Sequence, residues 1–387
     1  MRQADPRGPC GHRARRPTRG GETTTAAEGG DNDVMDLPVP LPLAPMLAKS
    51  VAEVPESDSV AGGLAYEPKW DGFRCLVLRD GDELELASRG SKTLTRYFPE
   101  LREPLLEVLP RRCLVDGEIV VRSGRRGAER LDWDALSQRI HPAASRIATL
   151  AERTPAEIVA FDLVALDDES LLDVEFAPRR ARLEDALAGR GHDGPLHLTR
   201  ATRDAVEAQE WFVRFEGAGL DGVVAKPLAG PYTPGRRTML KVKHKRTAEA
   251  VVTGYRVHKS GAGVGSLLLS LYADDGHLIG VGGIAAFTAK RRLELVEELE
   301  PLVLRDEDGG VVHAETDRSR FSGNKDVGYV PLRPERVVEV AFDQLEGQRF
   351  RHAVTFLRWR PDRDPESCTL AQIDVAPAYD LGAVLDE

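Results

Sequence analysis

Lysine is scarce in this chain, and five of its ten lysines stand at positions 69, 226, 241, 243 and 245. Arginine supplies the remaining positive charge, so each lysine raises the question of what an amine does there that a guanidinium does not. The first lies in YEPKWDGFR, residues 66–74. Pro68 precedes Lys69, and Asp71 with Gly72 predicts a turn that holds Lys69 at a strand end, aimed into a cleft. An amine held in that way can act as a nucleophile. The alternative is a surface lysine beside a turn, and K-x-D-G alone does not separate the two.

The stretch RRTMLKVKHKR, residues 236–246, carries six Lys or Arg in eleven positions. Lys241, Lys243 and Lys245 alternate, so on a strand they share one face. Charges packed this closely repel unless a polyanion, such as a triphosphate or a nucleic-acid backbone, neutralises them. A solvated edge strand accounts for one or two lysines but not for this cluster. Acids stand beside strand-like runs: Asp116 and Glu118 around Gly117, Asp162 after Phe161, and Asp221 before Gly222. Singly, each reads as a turn residue capping backbone groups. Opposite a cationic cluster, together they suit Mg²⁺ and ribose hydroxyls. Near the other end, Arg349, Arg351, Arg358, Arg360 and Arg363 crowd residues 349–363. Arg358 and Arg360 would share a strand face, and guanidinium forks suit phosphate. A surface strand balanced by Asp362 and Asp364 is the other reading.

These groups need elements to hold them. The runs 114–121, 157–166 and 221–227 read as strands from their β-branched content and Gly or Asp punctuation. Helical periodicity runs through 96–109, 179–188 and 205–219, which predicts a mixed α/β domain. From about residue 247, short strands with Gly turns recur, interrupted by one helical segment at 288–302. That texture predicts a small β-barrel, with the linker at 245–248. Residues 1–34 are rich in Arg, Gly, Thr and Pro and cannot bury enough surface to order themselves. They are a disordered tail or lie upstream of a true start at Met35; a basic arm on a polyanion is the functional alternative.

The chain has 387 residues and a formal net charge of −10, which is more than one core usually covers and predicts two domains. No apolar run reaches membrane-spanning length, and no secretory signal is evident. The four cysteines form no C-x-x-C pair, which disfavours zinc or disulfide frameworks. A cytoplasmic protein is expected. A P-loop, a G-x-G-x-x-G fingerprint and a Ser–His–Asp set are all missing.

In this order the pieces resemble the covalent nucleotidyltransferase superfamily of ATP-dependent DNA ligases. KWDG at 69–72 is similar to motif I, SRGS at 88–91 to the motif that follows it, and DGE at 116–118 to motif III. AFDLV at 160–164 is similar to motif IIIa, DGVVAK at 221–226 to motif IV, LKVK at 240–243 to motif V, and the Arg-rich segment 356–362 to motif VI. The compact layout resembles the minimal C-type ligases of actinobacteria. The resemblance implies an adenylation domain with mixed and antiparallel sheets over 35–246, and an OB-fold barrel with a C-terminal extension over 247–387. It implies ATP as co-substrate, Mg²⁺ or Mn²⁺ as metal, nicked double-stranded DNA as partner, a monomer, and work in DNA repair, recombination and replication. RNA ligases and RNA-capping nucleotidyltransferases of the same superfamily stay open as alternatives, and so does a non-catalytic OB-fold module.

The resemblance also implies roles. Lys69 captures AMP on its amine, which must first lose a proton, and Lys226, Lys241, Lys243 and the metal would supply the cationic field. Phe161 stacks on adenine, while Glu67 positions the base or the lysine. Glu118 holds ribose or metal, and Asp221 holds metal, although many relatives carry Glu there. Arg74 and Arg89 contact AMP or the 5′-phosphate at the nick. Arg358 and Arg360 orient the pyrophosphate leaving group when the barrel closes over ATP. Lys245, Arg246, Arg349 and Arg351 contact DNA.

Overall fold

A computed structural model describes residues 35–141, 143–188, 194–244, 246–315, 328–343, 345–373 and 378–385. The expected tail at 1–34 and Lys245 lie outside the described residues. The chain divides into Met1–Met35 and Asp36–Glu387, and every element below belongs to the second unit.

The first lobe has two sheets. Its strands are β1 (Leu47–Ser50), β2 (Leu64–Pro68), β3 (Phe73–Asp80), β4 (Glu83–Ser88), β5 (Arg112–Arg125) and β6 (Ala128–Leu131). They continue with β7 (Ala156–Leu166), β8 (Glu169–Ser170), β9 (Leu196–Leu198), β10 (Gly222–Pro227) and β11 (Arg237–Lys243). The helices are α1 (Arg102–Val108), α2 (Trp133–Gln138), α3 (Ala144–Arg153), α4 (Phe176–Leu187) and α5 (Ala205–Arg214). The smaller sheet runs β1-β11-β10-β2, with β1 parallel to β11 and the other pairs antiparallel. The larger runs β4-β3-β5-β7-β8, with β6 on β5 and β9 parallel to β7. Nearly all of β7 and every residue of β2 is buried, and β7 accordingly reads as a mostly apolar run rather than an alternating one.

The second lobe is an OB-fold-type barrel. Strands β12 (Arg246–Val257), β13 (Val264–Tyr272), β14 (Leu278–Ile284), β15 (Ala314–Glu315) and β16 (Gly328–Phe342) form the sheet β14-β13-β12-β16-β15. A two-stranded ribbon of β17 (Leu345–Glu346) and β18 (Arg349–Phe350) follows, and β19 (Thr355–Trp359) adds to β16. Helix α6 (Ala289–Leu299) packs Leu295 and Leu299 into the barrel core. A short α7 (Gly382–Leu385) returns to the first lobe. No described helix is long and apolar enough to cross a membrane.

The expected strands form. Two helices differ from expectation. The segment 96–109 is two 3₁₀ turns, Thr95–Tyr97 and Pro99–Leu101, before α1. Pro99 has no N–H to give to a preceding turn and starts a helix rather than continuing one. The segment 205–219 stops being α-helical at Arg214, tightens into a 3₁₀ turn, and ends at Gly219 with φ +89°, where glycine is favoured. The barrel's first strand begins at Arg246, inside the linker expected at 245–248.

Candidate active site

Lys69 is the first residue past the end of β2. Its N–H donates to Gly222 O at 2.9 Å, and Asp221 N–H donates to Lys69 O at 3.0 Å. These two bonds continue the β2–β10 ladder past Pro68 and bring the Lys69 and Asp221 side chains together. Lys69 Nζ lies 2.7 Å from Asp221 Oδ2, and Lys243 Nζ lies 2.8 Å from the same oxygen. Gly222 permits the close crossing: its φ is +133°, and a Cβ there would sit 2.0 Å from Val242 O. Burial pushes the Asp221 carboxyl up, but Lys69 and then Lys243 outweigh it and hold the group below its ordinary range. Lys241 lies two residues before Lys243 on β11. Burial pushes its amine down, and the charges of Lys69 and Lys243 push it further.

The turn after Lys69 packs on β5. A Cβ at residue 72 would sit 2.1 Å from Ile119 O, so only glycine fits. Gly72 N–H donates to Glu118 Oε1 at 3.1 Å. Desolvation pushes the Glu118 carboxyl up to about 7, against the pull of Arg74 and Lys69.

Several residues expected at the phosphates are engaged elsewhere. Lys226 is buried, pairs with Glu67 Oε2 at 2.7 Å and donates to Phe161 O at 2.7 Å. Its charge is therefore met by Glu67 rather than spent on Lys69. Arg180 reaches the other Glu67 oxygen at 3.5 Å and donates to Thr199 O at 2.7 Å. Arg74 forks onto Asp116 with two 2.6 Å bonds, and Tyr232 donates to the same carboxylate at 2.6 Å. Both Asp116 oxygens are thus engaged by Arg74 and Tyr232, and Arg74 is not a bare phosphate ligand. The Arg74 guanidinium instead lies 4.3 Å from the centre of the Phe161 ring, the ring expected to stack on adenine. Asp162 is a buried structural acid held by Arg179. Arg89 is exposed in the turn between Ser88 and Lys92.

The barrel meets this lobe beside Lys69. Arg351 donates to Asp71 Oδ2 at 2.6 Å, and its guanidinium carbon lies 3.2 Å from the centre of the Trp133 ring. Arg246 pairs with Glu216. These two expected DNA contacts therefore tie lobe to lobe. Arg358 and Arg360 are not brought to Lys69. Arg358 pairs with Glu339 at 2.7 Å, and Arg360 pairs with Glu249 and Asp362. Arg349 is exposed on β18. The cleft between the lobes measures about 840 Å³, and Asp71, Glu216, Asp221 and Asp343 line it beside Arg246 and His244. Acids outnumber arginines and lysines along this cleft.

A family model described as "ATP dependent DNA ligase domain" matches residues 45–243, and one described as "ATP dependent DNA ligase C terminal region" matches 260–363. The chain belongs to the ATP-dependent DNA ligases. It is 55 % identical over 358 residues to DNA ligase C1 of Mycolicibacterium smegmatis, covering 91 % of this chain and 100 % of that one. It is 52 % identical over 353 residues to DNA ligase C of Mycobacterium tuberculosis, covering 88 % and 96 %. A solved structure named Pmar-Lig_PreS3 shares the fold, with a TM-score of 0.52 and 16 % identity over 82 % of this chain and 68 % of that one. The RNA-directed and non-catalytic readings fall away.

The ligase's donor set fits a metal of a particular kind. Asp221 Oδ1 is buried and accepts no hydrogen bond. Among the described residues no group of three or more His, Cys, Asp or Glu converges. A protein cage is therefore ruled out among them, whereas a hard cation held by one or two carboxylates and by phosphate oxygens fits. Sequence reading missed the groups that hold this site: Tyr232, Arg180, Trp70 with its Nε1–H donating to Thr199 Oγ1 at 2.8 Å, and Trp133 under Arg351. Nothing in their spacing marks them, since each partner comes from a distant segment.

Proposed function

We propose that this ligase seals nicks in duplex DNA through a lysine adenylate on Lys69. The amine, after losing its proton to solvent, attacks the α-phosphorus of ATP; a P–N bond forms, the bond from the α-phosphorus to the bridging oxygen breaks, pyrophosphate leaves, and the nitrogen releases a second proton. The 5′-phosphate at the nick then attacks the same phosphorus. The P–N bond breaks, and AMP becomes joined to the DNA end through a phosphoanhydride. The 3′-hydroxyl attacks the 5′-phosphorus, loses its proton, and expels AMP. Positioning and charge neutralisation dominate such transfers.

The observation that carries this reading is the Lys69 amine held 2.7 Å from a buried carboxylate at a strand end, with Lys243 on the same oxygen. Asp221 holds the nucleophile in place, while Lys241 and Lys243 favour the charge that builds on the α-phosphate. Mg²⁺ or Mn²⁺, held by Asp221 and Glu118 with phosphate oxygens, would neutralise phosphate charge. Phe161 and Glu67 form the base side of the pocket, with Arg74 and Arg89 on the AMP or 5′-phosphate side. Arg358 and Arg360 serve the leaving group in a different placement of the barrel, one in which their present acids are released. Residues 35–246 act as the adenylation domain and 247–387 as the OB-fold domain with its extension. One chain supplies every named group, which suits a monomer acting in DNA repair.

The test is incubation with α-labelled ATP and Mg²⁺, followed by addition of a nicked duplex. A covalent adduct that discharges as the strand is sealed is expected. Lys69→Arg keeps the positive charge but stays protonated, and it should form no adduct. A labelled Lys69→Arg protein would overturn the assignment.

A further inference from the structure

Past the barrel, residues 379–385 lie against the first lobe, outside both stretches matched by the family models. Leu381, Val384 and Leu385 are buried in the same apolar cluster as Tyr66 and Trp70, the residues that flank Lys69. Polar contacts fix the placement. Leu381 N–H donates to Glu129 O at 2.9 Å, and Asp380 Oδ1 accepts from Glu129 N–H at 2.9 Å. Arg200 donates from Nε to Val384 O at 3.0 Å and from Nη2 to Ala383 O at 2.8 Å. These are carbonyls of the short helix α7, of the kind a helix end leaves for side-chain donors.

Arg200 sits in the stretch that braces the nucleophile's strand. One residue earlier, Thr199 Oγ1 accepts the Trp70 indole N–H at 2.8 Å. Two residues later, Thr202 exchanges both backbone bonds with Tyr66, at 2.7 and 3.0 Å. The stretch 199–202 thus contacts both the 66–70 segment and residues 383–384. We infer that segment 379–385 is a positioning brace for Lys69, locked by Arg200 as a positioning residue. It backs the 199–202 stretch so that Trp70 and Tyr66 hold the Lys69 amine over Asp221. A purely structural role would lower every activity together with the melting temperature. A brace acts on the step that needs the amine in place, since small misplacements of a reacting group cost large factors in rate. The inference rests on Lys69 being the adenylated residue.

The test compares full-length wild type with Arg200→Ala, Arg200→Lys and Leu381→Asp. Self-adenylation is followed in single turnovers with α-labelled ATP at saturation. The same proteins then seal a nick that already carries 5′-AMP, a reaction needing no new lysine adduct. Arg200→Ala and Leu381→Asp should slow adenylation roughly tenfold or more, with sealing of the pre-adenylated nick within about twofold of wild type. Arg200→Lys, which can reach one carbonyl but not fork across two, should fall between. Melting curves check folding, and Arg200→Ala decides the matter if Leu381→Asp does not fold. Unchanged adenylation by Arg200→Ala, or an equal loss in both reactions, overturns the brace. A wild-type protein that forms no adduct overturns the Lys69 reading instead.

Discussion

Lys69 and Asp221 are joined twice, once by the Asp221 N–H donating to Lys69 O at 3.0 Å and once by a 2.7 Å ion pair between their side chains. The backbone link fixes where the amine starts, and the ion pair fixes where its tip lies. Asp221→Asn keeps the shape and removes the charge. Adenylation should fall by roughly a hundredfold, measured as the single-turnover rate of adduct formation. Asp221→Glu should retain more activity than the amide.

The same pair bears on acid stability. Asp221 has its folded pKa lowered, so its stabilising contribution is present above the ordinary aspartate pKa and is lost as pH falls through the folded value. Melting temperatures of wild type and Asp221→Asn should therefore differ at neutral pH and converge in acid.

Glu118 carries the opposite sign. Its carboxyl is raised from 4.5 to about 7 in the folded protein, so the native state binds its proton more tightly than the unfolded chain. Stability is lost as pH rises through that window. Glu118→Gln should raise the melting temperature at pH 8 more than at pH 5 relative to wild type. An ionised Glu118 is the form that can hold ribose or a cation, so the wild-type adenylation rate should show an acid limb near pH 7 that the glutamine variant lacks. Identical pH profiles for the two proteins would exclude that role.

Glu67 and Lys226 form a buried pair at 2.7 Å. Lys226→Ala leaves a buried carboxylate with only Arg180 for charge and should cost about 3–5 kcal/mol. The double change Glu67→Gln with Lys226→Met should cost less than Lys226→Ala alone, read by denaturant unfolding.

Arg351 and Asp71 link the lobes at 2.6 Å. Arg351→Ala and Asp71→Ala should each weaken binding to a nicked duplex, and the double variant should be no weaker than the worse single one. The coupling should be about 0.5–3 kcal/mol. Additive losses would mean that the two residues act independently.

Much of the site's outline is legible in the chain. A rare lysine before an Asp-Gly turn, alternating lysines at 241 and 243, and acids beside β-branched runs are each patterns contained within a few neighbouring residues. Strand periodicity then says which of them share a face. The assignments of Arg74, Asp116, Lys226, Arg351, Arg358 and Arg360 needed more, because a charge's role depends on which opposite charge lies within about 4 Å. Asp116 is spent on Arg74, Lys226 on Glu67, and Arg351 on Asp71.

The sequence by itself determined the two-lobe plan, the strand end that carries Lys69 and the cations on β11, because local propensity and period-2 alternation are short-range properties. Tertiary structure alone decided which ions stay bare, that the cleft between the lobes is rich in acids, and that residues 379–385 back the Lys69 segment. Each of those depends on contacts between groups far apart in the chain, and electrostatic pairing and burial follow distance in space rather than position in sequence.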